Sequence, residues 1–168
     1  MKTLKLSILV LLILTVSSCQ SSKDAPKSSV LLDSDEARLA AEILAPMKEP
    51  VTIQIIRGGI GETKGEEAQA LVDLIAEISP KVTVNRLDIE TYPDLQSLGV
   101  SHGPVIEMRG KAPGTLRYYG YPERREVRPF LEGILSASGH PTDLSPAVKS
   151  YISGLSEEVW IRIFVTPD

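Results

Sequence analysis

One cysteine, Cys19, is all the thiol that the 168 residues contain. A single thiol builds neither a disulfide framework nor a cysteine-based zinc site. Positive charge is also scarce. Lys and Arg number 18 against 22 Asp and Glu, a formal net charge of −4, which argues against nucleic acid or anionic lipid headgroups as a main partner. Long apolar runs are missing too. The strongest, Leu6 to Val16, falls short of the roughly 20 residues that a helix needs to cross a bilayer.

The head of the chain has an order of its own. Met1-Lys2-Thr3-Leu4-Lys5 is positively charged, the apolar run follows, and Ser17-Ser18-Cys19 closes it. That is the layout of an export signal, in which small residues before the cleavage point let the backbone lie extended in a peptidase site. Val16-Ser17-Ser18-Cys19 resembles the bacterial lipobox, with Val16 where leucine is usual. The resemblance implies that residues 1–18 are a lipoprotein signal peptide and that the Cys19 thiol receives a diacylglycerol and becomes the new N-terminus. The alternative is an ordinary secretory signal with an incidental cysteine. Acyl chains, palmitate among them, contribute about 0.8 kcal/mol per buried methylene, so two or three make a durable anchor. Gln20, rather than aspartate, fits outer-membrane sorting by the same resemblance, with the protein facing the periplasm. Loss of Lys2 and Lys5 leaves 16 basic against 22 acidic side chains. Residues 19–33 are polar and aperiodic, a flexible tether.

Residues 34 to 168 suit one ordinary domain with a little left over. Asp33-x-x-Glu36 predicts a capping box for a helix carrying Leu39, Ile43 and Leu44. Val51 to Ile56 reads as a buried strand, broken by Arg57-Gly58-Gly59-Ile60-Gly61. Helical spacing of Ala68, Leu71, Val72, Ile75 and Ile78 runs from Gly65 to Ser79, and Pro80 stops it. Lys81 to Ile89 is a second strand, and Pro93 to Leu98 a short helix stopped by Gly99. Pro104–Arg109 and Thr115–Tyr119 predict a hairpin. Val127, Phe130, Leu131, Ile134 and Leu135 mark the inner face of a last helix, ended by Gly139-His140-Pro141. Two strands joined through a helix lie parallel by a right-handed crossover, and the hairpin adds antiparallel strands. The expected fold class is α/β: a mixed sheet covered by helices on both faces, the thioredoxin-like arrangement.

Three short motifs make the likeness specific. Glu49-Pro50-Val51 enters the first strand, Gly103-Pro104 opens the third, and Gly139-His140-Pro141 leaves the last helix. With them residues 34–141 resemble the first thioredoxin-fold unit of two-unit protein disulfide oxidoreductases, and are similar to the N-terminal domain of the alkyl hydroperoxide reductase flavoprotein subunit. Enzymes of that fold carry Cys-x-x-Cys after the first strand, where a helix N-terminus stabilises the attacking thiolate. Here Gly58, Gly59, Ile60 and Gly61 take the place of a degenerate redox motif, and no sulfur is present. No catalytic residue, metal ligand or cofactor site is expected. The glycines match neither the dinucleotide nor the phosphate-loop spacing. The resemblance makes Gly103-Pro104 a cis-proline candidate, a loop that could pair with a substrate or partner peptide. His102 in that loop reads as solvated, His140 as a helix cap, and Arg124, Arg125 and Arg128 as a solvated face or a site for an acidic partner. Tyr118, Tyr119 and Tyr121 read as packing rather than a binding platform.

Residues 142–168 start again. Ser145-Pro146 opens a helix with Val148, Tyr151, Ile152 and Leu155 on one face. Glu158 to Val165 then alternates like a core strand, Val159, Ile161, Ile163 and Val165 on one side, Trp160 and Phe164 on the other. The resemblance makes this the opening of a second thioredoxin-like unit whose redox pair follows a Val-Thr-Pro-Asp ending. Two functions stand open: the lipid-anchored front half of an exported thiol–disulfide oxidoreductase, or a non-catalytic lipoprotein that binds a partner protein. Three explanations stand open for that ending: a fragment, a gene truncated by a nonsense or frameshift change, or a first redox residue that is selenocysteine, in which case the codon after Asp168 is UGA. Reading that codon in the gene tests the third, and any other triplet removes it.

Overall fold

The structure, a computed structural model, describes residues 32–92 and 102–164. Cys19, the helix expected over Pro93 to Leu98, Gly99 and Val165 lie outside the described residues.

Helix α1, Ser34–Leu44, begins as its sequence requires. Asp33 accepts from the Asp35 and Glu36 amides at 2.9 and 2.8 Å, and Glu36 reaches back to the Asp33 amide at 3.1 Å. The reciprocal bonds satisfy amides that the helix itself leaves unpaired. Strand β1, Val51–Arg57, is followed by α2, Gly65–Ile78, and β2, Val82–Asp88. Strands β3, Val105–Arg109, and β4, Leu116–Tyr119, come next. A 3-10 turn over Arg124–Glu126 leads into α3, Val127–Ala137, and α4 spans Pro146–Ser153.

The four strands are ordered β2-β1-β3-β4. β1 pairs parallel with β2 across the α2 crossover, while β1–β3 and β3–β4 are antiparallel. This is the mixed sheet and hairpin that the element order predicts. Alternation along the strands sends Val51, Ile53, Ile55, Ile106 and Met108 to one face, all essentially fully buried. Leu71, Val72 and Ile75 of α2 and Phe130, Leu131 and Ile134 of α3 join them, with Ala40 and Leu44 of α1, in one core. Each fully buried aliphatic chain of this size contributes about 1.5–3 kcal/mol. Tyr118 meets Phe130 edge-on, ring centroids 5.6 Å apart, and its hydroxyl donates to Glu126. Burial first, and then that carboxylate, push the Tyr118 phenol well above its ordinary range.

The opposite face is polar at its centre. Gln54, Glu107 and Arg117 stand side by side in register across β1, β3 and β4. Glu107 is 0% exposed. Arg109 Nε donates to its Oε1 and Arg117 Nε to its Oε2, each at 2.6 Å. A charge so deep survives only because both oxygens are taken. Nearer the C-terminal end of β1, Ile56, Val105 and Ile89 form a smaller apolar cluster with Leu87 and Tyr92.

Two expectations need correcting. Glu158 to Phe164 forms no strand, and Val159, Trp160, Ile161, Ile163 and Phe164 are 57–91% exposed. Alternation prepares a segment for a sheet, but a strand without a paired neighbour satisfies neither its amides nor its apolar faces. α4 does form, with Ser145 accepting from the Val148 amide and Pro146 in the first turn, yet its apolar residues Val148, Tyr151 and Ile152 are exposed. Nor does His140 cap α3. The last carbonyls are taken by the amides of Ser138, Gly139 and Ala112, and His140 Nδ1 is buried with no hydrogen bond.

Replacing Glu107 with alanine leaves two arginines facing an emptied site and removes the anion that holds them. We expect Glu107→Ala to lower the unfolding free energy by about 3 kcal/mol, read from urea denaturation against the parent chain.

Candidate functional site

Where β1 ends, the chain turns sharply. Gly58, Gly59 and Gly61 adopt φ of 97, 90 and 84°, a region that side chains rarely tolerate. The turn leaves Ile60 at its tip, 98% exposed. Gly58 O accepts from the Gly103 amide at 2.8 Å, and Gly59 bridges to His102. The glycine loop is thereby stitched to the loop that opens β3, where the Gly103–Pro104 peptide is cis. Ile56 pairs with Val105 in the last rung of the β1–β3 ladder, so the two loops have no choice but to meet.

The N-terminus of α2 closes the site from the other side. A Cβ on Gly65 would fall 2.3 Å from Glu62 Oε1 and 3.0 Å from Arg57 Nε. A Cβ on Gly103 would fall 3.1 Å from the same carboxylate oxygen and 2.7 Å from Ile56 O. The Glu62 carboxylate is therefore wedged between the first residue of α2 and the cis-proline loop. Arg57 Nε lies 3.8 Å away, and Arg57 Nη1 donates to Gln69 Oε1 at 2.9 Å. Glu62 Oε1 has no hydrogen-bond donor, so its compensation is the guanidinium charge and the positive end of the helix. An internal anion already fills the position that a phosphate would seek.

A cavity of about 410 Å³ opens beside this wedge, between Thr63, Lys64, His102, Pro104, Tyr119 and Glu123. Lys64 caps α2 in the left-handed conformation, φ 60°, without a side-chain cap bond. Its ammonium pairs with Glu123 and lies 5.4 Å from the centre of the Tyr121 ring. The hydrogen bond to Glu123 holds the Lys64 ammonium above the usual lysine range, and burial pushes the Tyr121 phenol up. The cavity contains no sulfur. Among the described residues, no group of three or more His, Asp or Glu is arranged to hold a metal ion. The main chain of the loop is also occupied. The Gly103 amide is spent on Gly58, and Pro104 O accepts from the Gly120 amide at 2.8 Å.

The sequence-predicted residues are thus partly assembled. Gly58, Gly59, Gly103 and Pro104 meet, and Ile60 points away. Arg124 and Arg125 stay exposed on the 3-10 turn, and Arg128 pairs with Glu132 at 3.0 Å on the surface. Tyr121 lines the wall near Lys64, while Tyr118 belongs to the core. Glu62 and Gly65, which the composition of the loop hides behind its glycines, hold the centre. Their spacing, on either side of Thr63 and Lys64 at a helix start, was the available signal.

Strand order, crossover and cis-proline loop together define a thioredoxin-like α/β fold. The solved structures agree. The chain is similar to the alkylhydroperoxide reductase protein AhpF from Enterococcus faecalis at a TM-score of 0.64 and 18% identity, over 74% of this chain and 61% of that one. It is similar to a protein disulfide oxidoreductase from Aeropyrum pernix at a TM-score of 0.60 and 25% identity, over 74% and 55% of the two chains. The separate NTD_N/C domain of the Enterococcus protein aligns at a TM-score of 0.62 and 18% identity, over 72% and 59%. The chain thus spans little more than half the length of these structures. No known protein family matches it by sequence, and no curated protein does. In thioredoxin-like enzymes the redox pair starts the helix after the first strand. In this chain the segment between β1 and α2 runs from Gly58 to Lys64 and carries no sulfur.

The two glycines at the wedge differ in what surrounds them. Gly103→Ala drives a methyl into backbone atoms of Ile56 and Arg57 and should cost about 1–3 kcal/mol. Gly65→Ala meets only side-chain atoms, the movable end of Glu62 and Arg57 Nε, and gains about 1 kcal/mol of helix propensity. Chemical denaturation should therefore separate a destabilised Gly103→Ala from a near-neutral Gly65→Ala.

Proposed function

We propose that this chain is the front half of an exported, lipid-anchored thiol–disulfide oxidoreductase of the tandem thioredoxin-fold type, its first unit redox-silent. The observation that carries this reading is the wedge. Glu62 and Gly65 stand at the start of α2 beside the cis Gly103–Pro104 peptide, where a disulfide exchange enzyme needs a thiolate. A carboxylate cannot exchange with a disulfide. The unit's role is then to support and shape a second unit, to which residues 142–168 lead. That unit would supply Cys-x-x-Cys or Sec-x-x-Cys, acting on protein disulfides or on a peroxide-reducing partner. Cys19 is the anchor: once acylated, it holds the protein on a membrane, with the outer membrane favoured by Gln20.

A second reading, a non-catalytic lipoprotein that binds a partner protein, is favoured by the fully exposed Ile60 and the apolar residues of the tail. β-Augmentation by residues 158–164 would be its mode. The occupied main chain at Gly103 and Pro104 argues against capture of an extended peptide at that loop.

The full chain, recovered from the membranes of a bacterium that exports it, should reduce insulin with dithiothreitol no faster than dithiothreitol alone. Cys19→Ser should move it to the soluble fraction. Extension past Asp168 by a unit bearing Cys-x-x-Cys should give turnover. Turnover by the unextended chain would sink the redox-silent assignment, a Cys19→Ser chain that stays membrane-bound would sink the anchor, and an inactive extended chain would leave the partner-binding reading in its place.

A further inference from the structure

The polar face of the sheet touches the C-terminal segment at one point. Trp160 lies with its ring centre 5.9 Å from the Arg117 guanidinium carbon. Behind Arg117 stands Glu107, which takes the Arg117 Nε–H at 2.6 Å and so fixes the plane of the guanidinium. The Arg117 side chain is only 16% exposed, held between the buried carboxylate and the tail. Arg109, the other partner of Glu107, is 51% exposed and among the described residues has no ring against it. The row continues inward to Gln54, whose buried Oε1 lacks a donor.

We infer that the polar sheet face is a docking surface for residues 158–164 of this chain, with Arg117 as the positioning residue and Trp160 as the anchor. The occupant is identified by three observations. Trp160 already contacts β4. The segment alternates, and Trp160 shares its side with Phe164, so one face of it is aromatic while the sheet offers a flat cation. Trp160 is also the chain's only tryptophan, the one indole that the sequence can offer this cation. Glu107 thus has a second role beyond holding the sheet: it orients the cation that orients the tail. On the tandem reading proposed for this chain, this sets the angle at which the second unit leaves the first. The inference does not depend on that unit being redox-active.

The lone tryptophan gives a direct readout. In the full chain in detergent micelles, Arg117→Ala should move Trp160 emission to longer wavelength and steepen acrylamide quenching about 1.5-fold, by removal of the stacked cation. Arg109→Ala breaks an ion pair to the same carboxylate but should leave both signals where they were. Arg117→Lys keeps the charge on Glu107, so it secures folding, yet loses the planar group and should follow Arg117→Ala in quenching. Trp160 signals that move in none of the variants, or equally in Arg109→Ala and the Arg117 variants, overturn the docking surface. Insulin turnover plays no part in this measurement, so its failure leaves the redox reading standing.

Discussion

Everything in this domain hangs on strand β1. It is paired on both sides, parallel to β2 and antiparallel to β3, and Val51, Ile53 and Ile55 on its inner face are wholly removed from water. A strand buried this way fixes the register of its neighbours, because a slip of one residue would turn Ile53 and Ile55 outward and Gln54 into the core. The site is a consequence of that register. Ile56 opposite Val105 ends the antiparallel ladder, and the two chains must diverge into loops at the same height. α2, which begins after β1 and packs Leu71, Val72 and Ile75 onto the inner face, can only start beside them. Glycine loop, cis-proline loop and helix N-terminus are three endings of one pairing.

What such a junction does depends on the group at its centre. A helix start in a partly buried place favours negative charge, and a thiolate or a carboxylate meets that demand equally well. Glu62 satisfies the field without offering a nucleophile to sulfur. Arg57 adds a second positive charge at 3.8 Å, and its other nitrogens are engaged by Gln69 and Glu66 on the first turns of α2. The Glu62 carboxylate lies in the space that the missing side chain of Gly65 leaves, a relation that propensity alone would not reveal.

The parts of the fold written in local periodicity were legible in the sequence. Asp33 and Glu36 announced α1, the 3.6-residue spacing of Leu71, Val72 and Ile75 announced α2, and the runs Pro104–Arg109 and Thr115–Tyr119 announced the hairpin. The centre of the site was not legible, because a glycine run is conspicuous and a single Glu just beyond it is not. Gly58 to Gly61 make the turn; Glu62, through its position relative to Gly65 and Gly103, fills it. Such a relation exists only after folding. The tail shows the opposite failure. Its alternation predicts two apolar sides, but alternation says which residues would share a face and nothing about whether a neighbouring strand is present to pair with. Glu107 was hidden for a related reason. In Val105-Ile106-Glu107-Met108-Arg109 a glutamate reads as the solvent side of a strand, and only the register that brings Arg117 alongside turns it into a buried anion.

That buried anion changes how the tail is to be understood. A cation–π contact at an exposed site is worth about 0.5–1 kcal/mol, a bias of roughly two- to fivefold, and less if the cation is free to turn. Arg117 is not free to turn, since Glu107 holds its Nε, so the entropy of fixing the guanidinium is met within the domain before Trp160 arrives. Segment and sheet therefore need not supply a large interface to prefer one orientation. A contact this weak biases the direction of the segment without fixing it. The polar strip on the sheet is in this sense a bearing surface: a charge locked inside the domain lends direction to a segment that the domain's apolar core never touches.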